Sequence, residues 1–171
     1  MNSYELNLKA IQLTANALIC DHLRAGRSLC FTMSTSSMRP ALAPGDKVLI
    51  SAALPDQLRP GDIVVRKIAD AHIAHRLIGS YTADNEIHLI TKGDNALKAD
   101  DAWQATQLVG KVVAIERAGH KKLTQAKRRA FVIAFLSRCQ LSASRIEPEI
   151  FRRWAVRILR AWLRVAVWTT E

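Results

Sequence analysis

The chain has 171 residues, 49% of them hydrophobic and 23% charged, and carries a formal net charge of +10. That length holds one domain with a real core plus a smaller appendage, and the composition excludes a disordered or collagen-like chain. The charge is uneven: residues 1–110 hold 11 Lys+Arg against 11 Asp+Glu, and the remaining residues hold 14 against 4.

In chain order, Tyr4 to Arg24 spaces Leu6, Ile11, Leu13, Ala17, Leu18 and Leu23 at near-helical intervals. This predicts an amphipathic helix within residues 1–27, with Asn2 or Ser3 as its cap. Residues 28–119 change to short β-rich runs at Ser28–Met33, Lys47–Ala52, Asp62–Ile68, His72–Tyr81, Glu86–Lys92 and Leu108–Arg117. Pro44-Gly45, Pro60-Gly61, Asp84-Asn85 and Gly93-Asp94-Asn95 separate them as turns. The fold class expected is mainly β with flanking helices: a small coiled antiparallel sheet or partial barrel.

Residues 120–171 read as a basic helical extension, with Lys121–Cys139 and Pro148–Trp168 as segments joined by Gln140–Glu147. Arg153, Arg157, Arg160 and Arg164 form one stripe of the second helix, and Phe151, Trp154, Ile158, Trp162 and Val165 fall opposite. This pattern suits a helix lying on an anionic membrane or docking an acidic partner, and equally a packing helix with a solvated arginine face. Nucleic acid is not the partner expected, because no recognition motif accompanies the charge.

Three cysteines, Cys20, Cys30 and Cys139, lack close pairing and read as reduced, mostly buried thiols. Met1 to Leu18 carries Glu5 and Lys9, so no secretory signal is read. The longest apolar run, Ala130–Leu136, falls far short of the ~20 residues a span needs. These features lead to an expectation of a cytoplasmic chain, peripheral to the inner face of the membrane.

Chemistry concentrates in four ordered boxes: Met33-Ser34-Thr35-Ser36-Ser37-Met38-Arg39-Pro40, Gly61-Asp62-Ile63-Val64-Val65, Ala74-His75-Arg76-Leu77-Ile78, and Thr91-Lys92-Gly93-Asp94-Asn95 with Asp100 behind it. A serine in a small-residue turn, a histidine and aspartates at strand edges make up the inventory for acyl transfer at a peptide bond. Each alone has a plain alternative as a turn residue, but their order and spacing argue jointly. His72 and His75 lie three apart on a strand and so face opposite sides, which argues against a shared metal ion. His22, His88 and His120 read as surface or packing residues. No cofactor or metal is expected.

In that order the boxes resemble the type I signal peptidases over about Leu29–Gly119. The nearest variant is the archaeal and endoplasmic-reticulum type, which carries His where the common bacterial type and the LexA-like repressors carry Lys. The resemblance implies Ser37 as nucleophile, His75 as its base, and Asp94 and Asp100 as the two acidic residues. Either aspartate is a candidate to orient His75, with Asp101 as fallback. Thr35 and the Ser37 backbone N–H would serve the oxyanion, and Met38 and Pro40 are candidate substrate contacts, with packing under the turn the competing role for Met38. Lys67 is the rival base. Ser36 stands where the family often has Gly, and the family's usual transmembrane anchor has no counterpart here.

The resemblance implies a serine endopeptidase that cuts leader-like peptides after small residues, the substrate pairing as an added strand. Two alternatives are a cytoplasmic LexA-like self-processing or leader-maturation protease, and a non-catalytic binding module on the same fold.

Overall fold

The computed structural model describes residues 14, 15, 17–19, 21–69 and 71–123. The basic segments bearing Arg153, Trp154, Arg157, Arg160, Trp162 and Arg164 lie outside the described residues, as do Cys20, Cys139 and the expected caps Asn2 and Ser3. The described part of the leading helix ends at Arg24, with Leu23 its one buried residue.

Eight strands follow among the described residues: β1 (Leu29–Thr32), β2 (Lys47–Ser51), β3 (Ile63–Ile68), β4 (Ala71–Ala83), β5 (Glu86–Lys92), β6 (Trp103–Gln104), β7 (Leu108–Arg117) and β8 (His120–Leu123). They form one open antiparallel sheet in the order β1-β2-β7-β3-β4-β5-β6, with β8 also paired to β7. The mainly β expectation holds, and the six sequence-read runs fall on β1–β5 and β7.

Burial explains the pattern. The apolar opening of β3, Ile63-Val64-Val65, is buried throughout because it lies between β7 and β4 with packed material on both faces. Met38, Leu42, Val48, Ile50, Ile63, Val65, Ala74 and Val112 form the core on one face. Val64, Leu77, Leu89 and Trp103 form the core on the other. β1 alternates instead, with Leu29 and Phe31 half-buried and Cys30 and Thr32 exposed. The expectation of a buried thiol therefore fails at Cys30, which sits on the outer face of an edge strand.

A second correction concerns the end of the sheet. Residues 121–123, expected to begin a helix, instead form β8, paired along β7 from Arg117↔His120 to Ala114↔Leu123. Ala118 and Gly119 both take positive φ, 51° and 80°, the conformation of a two-residue hairpin turn whose twist matches the flanking strands. Asp84 and Asn85, at 51° and 62°, turn β4 into β5 in the same way.

The long β1–β2 loop carries the serine box and is fastened at three levels. Met33 and Asp46 pair backbone to backbone, Met33 N–H to the Asp46 carbonyl at 2.8 Å. Met38 and Leu42 sink fully into the core. Asp46 accepts the Ala43 N–H at 2.7 Å and the Arg117 guanidinium at 2.9 and 2.6 Å, which ties the loop to the end of β7. Burial pushes the Asp46 carboxyl up, but the hydrogen bonds from Arg117 and Ala43 and the charges of Arg117 and Arg39 outweigh it and hold the group below 3.8.

A carboxyl with a depressed folded pKa stabilises the fold fully above its unfolded pKa and loses that contribution as pH falls through the folded value. Asp46→Asn should therefore cost about 1–2 kcal/mol at pH 7, by loss of charge-assisted hydrogen bonds. Its stability should also fall less steeply than wild type below about pH 4. Urea titrations followed by circular dichroism at several pH values check this, and parallel pH profiles for the two proteins would refute it.

Candidate active site

The serine turn meets β4 and the β5–β6 loop at one place. Ser37 Oγ lies 3.2 Å from His75 Nε2, and His75 Nδ1 lies 2.7 Å from Asp100 Oδ2. Thr35 Oγ1 is 3.3 Å from Ser37 Oγ. Ser37 is half-buried at the lip of the turn, and the side chains of His75 and Asp100 are 14% and 17% exposed, so the three are shielded yet open to a reactant.

Strand geometry does the delivering. His75 pairs across from Val64 and shares its face, whereas Arg76 pairs with Ile63 and faces the other way. β5 joins β4 only from Arg76↔Lys92 onward, so His75 sits just past the last paired residue, where the chain leaves the sheet as the 93–102 loop. There the backbone passes very close to the serine turn: a Cβ placed on Gly93 would stand 2.8 Å from the Ser37 carbonyl oxygen and 3.2 Å from His75 Nε2. Only a residue without a side chain fits between them. The Asn95 N–H donates to the Ser37 carbonyl at 2.8 Å, and Asn95 Nδ2 reaches the Ser36 carbonyl at 3.5 Å, so the two loops are stitched together.

The two aspartates part company. Asp94 is turned away from His75 and accepts a bidentate pair from Arg76, Nε at 2.7 Å and Nη2 at 2.6 Å, while Arg76 Nη1 donates to the Gly61 carbonyl at 2.7 Å. Asp100 is the one that reaches the imidazole. It also accepts the Thr91 hydroxyl at 2.6 Å, and Thr91 in turn accepts the Trp103 indole N–H at 3.0 Å. Burial raises the Asp100 carboxyl, yet hydrogen bonds from His75 and Thr91, with the charges of His75 and Arg66, bring it below the usual carboxylate range.

Other sequence candidates lie elsewhere. Met38 is 0% exposed within the core, so it packs beneath the turn and has no surface with which to touch a substrate. Pro40 is half-buried after a cis Arg39–Pro40 peptide. Asp101 is exposed. Lys67 pairs with His72 on the face opposite His75, which leaves it away from Ser37. His72 packs on the Phe31 ring at 5.5 Å, and burial, aided by the Lys67 charge, lowers its pKa. His88 stacks on Tyr81, and His120 is exposed on β8.

The sequence points to no role for Thr91 or Trp103, and to Gly93 only as a turn residue. Thr91 and Gly93 stand inside one of the four ordered boxes, so their signal was adjacency. Trp103 carried none.

Comparison with known proteins finds partial matches to signal peptidase catalytic subunits. Over 76 residues the chain is 37% identical to the signal peptidase complex catalytic subunit SEC11C of Homo sapiens, a stretch covering 43% of this chain and 40% of that protein. The Mus musculus protein of the same name gives the same figures. The signal peptidase complex catalytic subunit SEC11 of Plasmodium falciparum (isolate 3D7) is 34% identical over 95 residues, 52% of this chain and 50% of the relative. The chain thus spans half or less of the length of these curated relatives, and no family model matches it. The partial identity supports a relation to signal peptidases. Among the described residues no helix is long and apolar enough to cross a membrane.

The Arg76 and Asp94 side chains are 3% and 0% exposed, so removing one partner leaves an uncompensated buried charge. Arg76→Met is expected to lower stability by about 3–5 kcal/mol. Arg76→Met combined with Asp94→Leu should recover most of the loss. Thermal unfolding of both variants measures this, and a single variant as stable as wild type would refute it.

Proposed function

We propose that this chain is a serine endopeptidase of the signal peptidase type, with Ser37 as nucleophile, His75 as general base and Asp100 as the group that orients it. The observation that carries the reading is the unbroken contact from Ser37 Oγ to His75 Nε2 and from His75 Nδ1 to Asp100 Oδ2. A serine hydroxyl is a weak nucleophile until a neighbouring base takes its proton during attack. An ionised Asp100 accepts a hydrogen bond from Nδ1–H, which leaves the Nε2 lone pair directed at Ser37.

The steps follow from this arrangement. Ser37 Oγ attacks the scissile carbonyl carbon as its proton passes to His75 Nε2, and the carbonyl oxygen becomes an oxyanion. The Thr35 hydroxyl, beside Ser37 Oγ, and the Ser37 backbone N–H, which donates to no described residue, are the groups available to it. Such a donor is typically worth about 3 kcal/mol of barrier. Asp100 stabilises the imidazolium, which then gives its proton to the leaving amine as the C–N bond breaks. Water deprotonated by His75 releases the acyl group from Ser37 in the reverse sense.

Strand pairing supports an extended substrate. Among the described residues, β4 is paired on its β5 side only from Arg76 to Ala83, so Ala71–His75 present an open edge that ends at the proposed base. A peptide added there pairs through its main chain and runs its scissile bond toward Ser37. With the resemblance to signal peptidases, this favours a leader-bearing peptide or protein cut after small residues.

Ser37→Ala and His75→Ala should each lower kcat on a leader-like peptide by about 10⁴-fold or more, and Asp100→Asn by about 10²–10⁴-fold, with near-wild-type unfolding. Because Asp100 is held below the usual carboxylate range, protonation of this carboxyl should not set the acid limb of the wild-type rate profile. Unimpaired turnover by Ser37→Ala or His75→Ala eliminates the proposal.

A further inference from the structure

Asp100 sits on a ten-residue irregular loop between β5 and β6, a poor platform for a group that must hold an imidazole to within a fraction of an ångström. The two strands bounding that loop supply what the loop lacks. Thr91, near the end of β5, grips Asp100 twice: its carbonyl accepts the Asp100 N–H at 2.8 Å, and its hydroxyl donates to Asp100 Oδ2 at 2.6 Å. Trp103, the first residue of β6, donates its indole N–H to the Thr91 hydroxyl at 3.0 Å. Thr91 is 1% exposed and Trp103 5%, so water does not compete for these bonds.

We infer that Thr91 and Trp103 are positioning residues for the reaction, forming with Asp100 a one-way chain of hydrogen bonds that aims Oδ2 at His75 Nδ1. The direction follows from the donor inventory. An indole N–H only donates, so it occupies a lone pair of Thr91 Oγ1. Thr91 has one hydroxyl proton, and an ionised carboxylate only accepts, so that proton goes to Asp100. Oδ2 then receives two donors, Thr91 Oγ1–H and His75 Nδ1–H, and cannot swing toward solvent without giving up both. The guanidinium of Arg66 on β3 lies over the Trp103 ring, 5.4 Å from its centroid, holding the far end of the chain in place. The charged or titratable groups around Asp100 are Arg66 from β3, His75 from β4 and the neighbouring Asp101.

The effect on turnover rests on the peptidase reading; the geometry does not. Thr91→Val keeps the shape and removes the hydroxyl. It is expected to lower kcat by about ten- to a hundredfold while KM stays within about twofold, because the substrate does not touch Thr91. Thr91→Ser restores the donor and should recover most of the loss. Trp103→Phe, which frees the Thr91 hydroxyl to rotate, should cost less than Thr91→Val.

Proton and nitrogen NMR of the His75 ring in the full chain gives a second readout. Wild type should show an Nδ1-bound proton shifted far downfield by Asp100, retained in Thr91→Ser and displaced or lost in Thr91→Val. Should Thr91→Val fold poorly from its orphaned indole N–H, the double variant Thr91→Val with Trp103→Phe removes that orphan and carries the same test. Wild-type kcat together with an unmoved ring proton in Thr91→Val overturns the inference. If the wild-type chain cleaves no peptide, the ring proton alone decides: its displacement supports the chain even as the peptidase reading falls.

Discussion

The site depends on two neighbouring residues of β4 pointing opposite ways. His75 faces the serine turn, and Arg76, one residue on, reaches through the other face to bury a bidentate pair with Asp94. That pair fixes the start of the 93–102 loop, and the same loop carries Gly93 and Asn95 to Ser37 and Asp100 to His75. Two charges buried to 3% and 0% exposure cost several kcal/mol each to desolvate. Such a pair is weak evidence of added stability. It does penalise any arrangement that separates the two groups, so its effect is to specify a loop conformation, and the loop conformation assembles the polar cluster.

The two aspartates show how similar residues acquire different work from their surroundings. Asp94 meets a permanently charged guanidinium and is saturated by it. Asp100 meets an imidazole nitrogen and a hydroxyl, and those contacts hold its carboxyl below the usual carboxylate range. Asp94 pairs with Arg76, whereas Asp100 sits against the ring nitrogen of His75 that is distal to Ser37. This division of labour is a consequence of strand parity, since residues 75 and 76 must face opposite sides of the sheet.

Much of this was legible in the chain. The alternation and the Gly, Pro and Asp-Asn punctuation gave six of the eight strands, because period-two patterning and turn chemistry are local properties. β6, two residues long, is too short to carry a period. β8 lies in a basic stretch, and its pairing is dictated by the Ala118-Gly119 turn and by the open edge of β7, which Lys and Arg counts do not report. Ser37, His75 and the two aspartates stood out as residue types in ordered boxes. Which aspartate faced the imidazole was not legible, because it depends on the path of a loop. Met38 read equally as a contact or as packing, and its burial decided for packing. Trp103 was invisible for a further reason: its contribution is one N–H bond to a residue twelve positions away, a relation without sequence period.

The end of β5 links the loop geometry to the open edge. Had β5 continued to pair with β4 beyond Lys92, its backbone would have occupied the edge of Ala71–His75, and Gly93 would lie within the sheet, away from the Ser37 carbonyl. Ending at Lys92 releases the chain on the side where the serine turn stands and uncovers main-chain groups that lead up to His75. The 93–102 loop, held at its start by the Arg76–Asp94 pair, brings Gly93 and Asn95 against the serine turn and Asp100 against His75. The termination of one strand pair thus both brings the loop to the serine turn and leaves the Ala71–His75 edge of β4 unpaired on that side.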